Sequence, residues 1–153
     1  MRIRVGDPLE IYTDNNGEVI FKKYSPVGEM SDCAKELCES MTRVSGMTAA
    51  ISDRESIIAA SGMDKKELFE KRLSREIVEA MEERRTIHWK SGDRKLPVVD
   101  GAKPFAGVVA PIISEGDVSG CVIFAANENE SVTEAEYKLA GAISTFLGKQ
   151  MES

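Results

Sequence analysis

The sequence has few of the side chains on which metal sites and disulfide-stabilised folds depend. Its 153 residues include one histidine and three cysteines, too few for the clusters that bind zinc. The cysteines are odd in number and form no C-x-x-C pair, which indicates reduced thiols rather than disulfides. The longest apolar stretches, such as residues 108–113, are far shorter than the ~20 residues that span a bilayer. We therefore expect no metal, no cofactor and no contact with a membrane.

The N-terminus also lacks a secretory signal. Charged residues and a Gly-Asp-Pro turn follow Met1, whereas a signal peptide would continue into an apolar segment. A protein of this kind is expected in the cytoplasm, where its thiols stay reduced.

Positive charge is scarce overall, with 20 basic against 26 acidic side chains and a net charge of −6. Acidic and basic groups balance in the first 24 residues, so residues 25–153 carry the whole excess, 22 acidic against 16 basic. Because nucleic-acid binding depends on lysine and arginine displacing counterions from phosphates, this composition disfavours DNA contact by most of the chain. Any such contact is expected at the N-terminal end, where Arg2 and Arg4 are the DNA-proximal candidates.

The clearest local pattern is an alternation of apolar and polar residues over residues 9–24. Two alternating runs flank Asn15-Asn16-Gly17, residue types that tolerate the positive φ of a tight hairpin turn. The pattern predicts a β-hairpin. An isolated two-stranded hairpin is only marginally stable in water, so we expect it to pack against another part of this chain or against a second chain.

A helix is predicted directly after the hairpin. Ser25-Pro26 is typical of a helix start, with serine as N-cap and proline at the first helical position. Apolar residues at helical spacing then predict that the helix runs to Gly46. The stripe expected to face the core consists of Met30, Cys33, Leu37, Met41 and Val44.

The remaining residues alternate between strand and helix patterns. Asp64 with Glu67 predicts a capping box for a short helix, Ser74 an N-cap for a second, and Ser131 with Glu134 a capping box for the last helix. Strands are predicted over residues 47–52, 57–60, 86–90, 105–114 and 118–126, with a long loop over 91–104. Because strands joined by tight turns run antiparallel, we predict an α+β fold, an antiparallel sheet of about five strands flanked by helices.

Two parts of the chain resemble known families. Residues 4–26 (RVGDPLEIYTDNNGEVIFKKYSP) resemble the second half of an AbrB-type swapped-hairpin DNA-binding domain, while residues 47–62 and 108–125 resemble a GAF domain. In this order they resemble the stage V sporulation protein T family of transcription regulators. The resemblance implies a truncated DNA-binding hairpin at 1–24 and a GAF-like regulatory domain at 25–153. The first half of the hairpin module, which carries the family's DNA-contacting arginines, has no counterpart here.

The resemblance also implies an oligomer. In this family two chains interleave their hairpins, and the GAF domains are expected to pair through their first and last helices, which gives a homodimer or homotetramer that binds DNA only through a complete N-terminal module. Both helices carry apolar residues away from their main stripe, among them Cys38 and Tyr137, as interface helices do. The residues predicted at this interface are Leu37, Met41, Ile143, Phe146 and Leu147.

The residues beside the 91–104 loop have two interpretations. One is a pocket for an unknown small molecule, since GAF domains generally hold ligands at the mouth of the sheet. The candidate lining residues are Ile87, Trp89, Phe105 and Val109. The other is that Trp89 packs in the core while His88, on the opposite face of the same strand, points into solvent.

No catalytic site is expected. The sequence has no glycine-rich phosphate loop, and His88 is the single histidine from which a Ser/His/Asp set could be built. Some GAF-like proteins reduce methionine sulfoxide through a thiol, so Cys121 leaves a thiol oxidoreductase acting on a free oxidised amino acid as an alternative. A ligand-free structural dimerisation domain is the other alternative. The function that we predict is regulation of transcription.

Overall fold

The computed structural model describes residues 31–90, 93–127 and 130–152 in full, together with the backbone of residues 9–13 and 19–23. Arg2 and Arg4 lie outside these ranges, as does the predicted helix start at 25–26. Within the ranges, no helix combines the length and the apolar composition required to cross a membrane.

The predicted N-terminal hairpin is confirmed. Strands β1 (Leu9–Thr13) and β2 (Val19–Lys23) pair antiparallel along their full length. Their pairing is in register, so the first residue of one strand lies opposite the last residue of the other. The hairpin is a sheet of its own, separate from the five-stranded sheet described next.

Five strands form the main sheet, as predicted. They are β3 (Thr48–Ser52), β4 (Ile57–Ser61), β5 (Ile87–His88), β6 (Phe105–Ser114) and β7 (Asp117–Ala126). Their order is β4-β3-β7-β6-β5, and all neighbouring pairs are antiparallel. The long β6–β7 hairpin closes through Glu115 and Gly116, which both have positive φ (52° and 85°). This is typical of a type I′ turn, whose twist matches that of the strands it joins.

Among the described residues, four helices cover the two faces of this sheet. Helices α1 (Ser31–Ser45) and α4 (Glu134–Gln150) pack on one face, and α2 (Lys65–Leu68) and α3 (Arg75–Glu82) on the other. The first core, between the sheet and α1 and α4, includes Ala34, Cys38, Met41, Val108, Ile112, Phe124, Ala140 and Leu147. The second core, on the opposite face, includes Leu68, Ile77, Met81, Val98, Val109, Cys121 and Ile123.

Helix α1 is rotated relative to the prediction. The residues that it buries are Ala34, Cys38 and Met41, whereas Val44, expected in the core, is 79% exposed. Small side chains let the helix approach the sheet closely, and the strands beneath it present Ala49 and Ala59 to the same core. The prediction was based on the spacing of the larger apolar residues. The orientation of α1 is determined instead by the close packing of small residues between the helix and the sheet.

Of the predicted helix caps, Ser74 is confirmed and Asp64 is wrong. Ser74 is the N-cap of α3, where its hydroxyl accepts from the Ile77 N–H (3.3 Å) and donates to the Pro97 carbonyl (2.7 Å). The capping box predicted at Asp64 is wrong: its side chain makes no cap bond, and its carboxylate accepts from the Asn127 amide instead (2.9 Å). A tertiary contact thus replaced the local one.

The start of α4 lies two residues later than predicted. The N-cap is Thr133, not Ser131. The Glu136 carboxylate accepts hydrogen bonds from the Thr133 hydroxyl (2.6 Å) and from its N–H (3.4 Å). In the sequence SVTEAE, Ser131 with Glu134 and Thr133 with Glu136 both have the spacing of a capping box. Burial of Val132 in the first core selects the second pair.

Candidate functional site

Three of the four predicted pocket residues lie on one face of the sheet. Ile87 pairs with Val109 across β5 and β6, and Trp89 follows on the same side, with its N–H donating to the Gly107 carbonyl (2.8 Å). Val109 is fully buried in the second core, and Trp89, half-buried, packs against that core. Only Ile87 and Trp89 therefore present surface at the rim of this face.

Phe105 does not join the other three. Its partner in the β6–β7 register is Ala126, whose side chain belongs to the first core. Because directly paired residues on neighbouring strands project to the same side, Phe105 lies on the opposite face of the sheet from Val109. The ammonium group of Lys95 lies 5.7 Å from the centre of the Phe105 ring, within the range of a cation–π contact.

The interior of the second face is occupied by the chain's own side chains. Ile77 and Met81 from α3 and Val98 from the 93–104 loop are all fully buried there. The Val98 carbonyl accepts from the Ser74 N–H (2.8 Å), which fixes the loop against the start of α3. This loop therefore packs as part of the core, and the predicted pocket is limited to its rim.

His88 does not point into solvent, and that prediction is wrong. Its Nε2 lies 2.7 Å from the Val132 carbonyl oxygen, and its ring stacks on Tyr137 with the ring centres 5.6 Å apart. Since a carbonyl can only accept, Nε2 carries the proton in this bond. The first turn of α4 covers this edge of the sheet, and His88 joins β5 to it.

Cys121 lies in the interior, hydrogen-bonded at 3.1 Å to the Ser52 hydroxyl. Burial raises the pKa of its thiol to about 12, with the Ser52 bond lowering it and the charge of Asp53 raising it further. Burial likewise raises the pKa of Cys38 to about 12, and Glu39 adds to the effect. A nucleophilic cysteine must be ionised and accessible, and Cys121 is neither.

The predicted interface residues divide into two groups. Met41 and Leu147 are buried in the first core of their own chain, so they have no surface to offer a second copy. Leu37 and Ile143 are half-buried against that core, and Phe146 is 44% exposed. The exposure of Val44 was not predicted from the sequence, because its spacing placed it in the stripe expected to face the core.

The exposed and half-buried apolar residues of α1 and α4 form what we call the helix-pair face. Leu37 and Val44 follow each other at seven residues along α1, and Leu139, Ile143 and Phe146 at four and three residues along α4, so each set lies on one side of its helix. The two helices lie beside each other on the same side of the sheet and contact one another. Such an apolar surface on neighbouring helices is typical of a protein–protein interface.

Comparison with known proteins gives a sequence family and a fold. The family described as "Stage V sporulation protein T C-terminal, transcription factor" matches residues 29–152. Stage V sporulation protein T of Bacillus subtilis (strain 168) is 36% identical over 154 residues, covering 99% of this chain and 85% of the relative.

Solved structures agree on the fold. The GAF domain of Thermosynechococcus elongatus PixJ has a TM-score of 0.62 at 14% identity and covers 84% of this chain and 90% of its own. The type II free methionine-R-sulfoxide reductase of Thermoplasma acidophilum has a TM-score of 0.61 at 10% identity, covering 82% of this chain and 94% of its own. At these identities the likeness concerns the fold alone, which is that of a GAF domain.

Proposed function

The chain belongs to the stage V sporulation protein T C-terminal family of transcription factors, and we propose that its GAF domain joins copies of a sporulation regulator through the helix-pair face. In this proposal the regulator is a homodimer or homotetramer in the cytoplasm. The domain also relays the binding of a small molecule to the N-terminal hairpin, and DNA is contacted through the N-terminal end rather than through the acidic body.

The observation that carries the proposal is the apolar surface shared by α1 and α4. Val44 and Phe146 are 79% and 44% exposed, on helices whose opposite sides are buried in the first core. Covering these side chains with the same surface of a second copy removes them from water, and a twofold axis makes such a contact self-complementary. Association of this kind is driven by the apolar area that it buries.

The position of α1 supports a relay between oligomerisation and DNA binding. Strand β2 ends at Lys23 and α1 begins at Ser31, so a short connection joins the hairpin to the helix-pair face. A ligand that favours one arrangement of α1 over another shifts the position of the hairpin, by a coupling that is typically about 1–3 kcal/mol. Neighbouring subunits would place their hairpins at a spacing set by this face.

The thiol-enzyme alternative receives no support from the geometry. The T. acidophilum reductase shares the fold with this chain, but a fold hosts many functions. Cys121, the residue on which that alternative depends, is fully buried, and burial raises its pKa to about 12. We infer that this domain has no catalytic activity.

Phe146→Asp is expected to separate the subunits. A carboxylate in the middle of an apolar interface would lose its hydration without a partner, so association should weaken by about a hundredfold or more. Light scattering after gel filtration would give the mass of the assembly for wild type and variant at the same concentration. Because Phe146 is already partly exposed, the far-ultraviolet circular dichroism of the variant should match that of wild type.

The matched control is Phe69→Asp, the same substitution at a position of similar exposure (40%). Phe69 follows α2, on the opposite face of the sheet from α1 and α4, so the control should keep the wild-type mass. A wild-type protein that is monomeric at micromolar concentration, or a Phe146→Asp protein of unchanged mass, would contradict the proposal.

A further inference from the structure

A groove runs along the flank of α4 that faces away from α1. Its other walls are the segment from Arg84 to Thr86, which leads into β5, and the outer half of β6 at Pro111 and Ile113. The cavity has a volume of about 590 Å³, within the range of small-molecule sites in proteins. Neither Ile87 nor Trp89 is among the residues that line this groove.

The groove is cationic, although the chain as a whole is acidic. Arg84, Arg85, Lys138 and Lys149 line it, against one carboxylate, that of Glu152. Arg85 pairs with Glu83 (3.3 Å) at an exposed position. Among the described residues, no carboxylate lies within ion-pair distance of Lys138 or Lys149. Glu152 accepts a hydrogen bond from the Glu115 N–H (3.1 Å), which directs its carboxylate towards the β6–β7 turn.

The walls are held in place by specific contacts. Arg84 has a positive φ of 61°, a conformation that L-residues rarely adopt, and its guanidinium donates a hydrogen bond to the Gly116 carbonyl of the β6–β7 turn. On the facing wall, Gly141 presents no side chain to the groove, and there is room for a methyl group at this position. Among the described residues outside this stretch of α4, the nearest atom to a Cβ at that position would be the Thr86 hydroxyl oxygen, at 3.9 Å.

The arrangement of charges fits an elongated ligand. Lys138, Gly141, Thr145 and Lys149 follow one another at three or four residues along α4 and therefore lie on one side of the helix. The two lysines are eleven positions apart in the helix, which places them about 16 Å apart along the axis. Arginine is well suited to phosphate because its planar group donates two parallel hydrogen bonds.

We propose that this groove binds a phosphorylated small molecule of nucleotide size, whose phosphates lie among Arg84, Arg85 and the two lysines. The inference deepens the proposed function, since it gives the sensing role a site and a ligand class. Helix α4 carries the groove on one side and Ile143 and Phe146 of the helix-pair face on another. A ligand that moves α4 therefore acts on the subunit contact directly.

ATP is the probe that tests this inference, titrated calorimetrically into the full chain at low salt. Wild type is expected to bind saturably at millimolar concentration or below. Lys138→Gln combined with Lys149→Gln removes two charge-assisted contacts from the groove and should weaken binding by about tenfold or more. Both lysines are exposed, so the variant should fold as wild type does.

The matched control is Lys66→Gln combined with Lys71→Gln, which makes the same change of net charge at exposed positions outside the groove. It should bind ATP within about twofold of wild type, since long-range charge effects are small at exposed sites. A second pair of variants tests whether binding requires the space of the groove, without a change of charge. Gly141→Phe should block the groove, whereas Gly141→Ala should leave it open.

Absence of saturable ATP binding to wild type would overturn the inference, as would an equal loss of binding in the two lysine double variants. Binding of a short DNA duplex that depends on Lys138 and Lys149, without ATP binding, would assign the groove to nucleic acid instead. The proposed oligomer is tested separately, by the mass of the Phe146→Asp protein. The outcome of that test therefore does not determine the outcome of the ATP titration.

Discussion

Gly120→Ala is expected to destabilise the domain by about 3 kcal/mol or more, because overpacking against backbone leaves no side chain that can yield. A Cβ at Gly120 would overlap the carbonyl oxygen of Ser52 and lie 2.9 Å from its carbonyl carbon and 3.0 Å from the Asp53 Cα. These atoms belong to the end of β3, which pairs with β7 at this point. Either the two central strands separate locally or the variant does not fold.

Chemical denaturation of wild type and variant would measure this change. For a domain of this size, a loss of 3 kcal/mol corresponds to a fall in Tm of roughly 10 °C. Gly141→Ala is the matched control, because the added methyl has room and alanine is favoured over glycine inside a helix. A Gly120→Ala protein as stable as wild type would show that β3 and β7 are not in the close contact described.

Alkaline pH is expected to destabilise the protein strongly, through its two buried thiols. Burial raises the pKa of Cys38 and of Cys121 from an ordinary value of 9.0 to about 12. Their contribution to stability is therefore complete below pH 9 and is lost as the pH rises towards 12, because the unfolded chain ionises first. Linkage gives a loss of roughly 1 kcal/mol per pH unit for each thiol within this window.

The free energy of unfolding, measured at several pH values from 7 to 11, checks this prediction. In a variant with Cys38→Ala and Cys121→Ala, the cavities lower stability at every pH, but the decline above pH 9 should be shallower than in wild type by roughly 2 kcal/mol per unit. Below pH 8 the two curves should run parallel. Parallel curves over the whole range would show that the thiols are not buried as described.

The elements with strong local signals were predictable from the sequence. The β6–β7 hairpin combines two long apolar strands with a turn containing Gly116, and Ser74 caps α3 where its spacing placed it. Where two local signals competed, tertiary packing decided between them. Because Val132 is buried in the first core, the N-cap of α4 is Thr133 rather than Ser131. The Asp64 carboxylate accepts a hydrogen bond from the Asn127 amide and does not cap α2 as predicted.

The candidate sites were less predictable, because they depend on which face of an element is covered. Strand alternation correctly separated His88 from Trp89, but it carried no information that the first turn of α4 would cover His88. The rotation of α1 exposed Val44 and buried Cys38, the reverse of the expected roles. Close packing of small residues produces such rotations, and apolar spacing alone does not encode them.

The cationic groove was missed entirely. Its walls come from three segments that are distant in sequence, at residues 84–86, 111–113 and 137–152. One signal was present in the sequence: Lys138, Thr145 and Lys149 share one side of the last helix while its apolar residues occupy the others. A polar side on a surface helix is ordinary, and only the fold places Arg84 and Arg85 opposite it.

Chromatin immunoprecipitation of the protein from its native host during sporulation is the most direct test of its role as an oligomeric transcription regulator. Promoter DNA should be enriched with the wild-type protein. The enrichment should fall with Phe146→Asp, which separates the subunits, and persist with Phe69→Asp. Equal recovery of promoter DNA from cells with and without the protein would contradict the regulatory role itself.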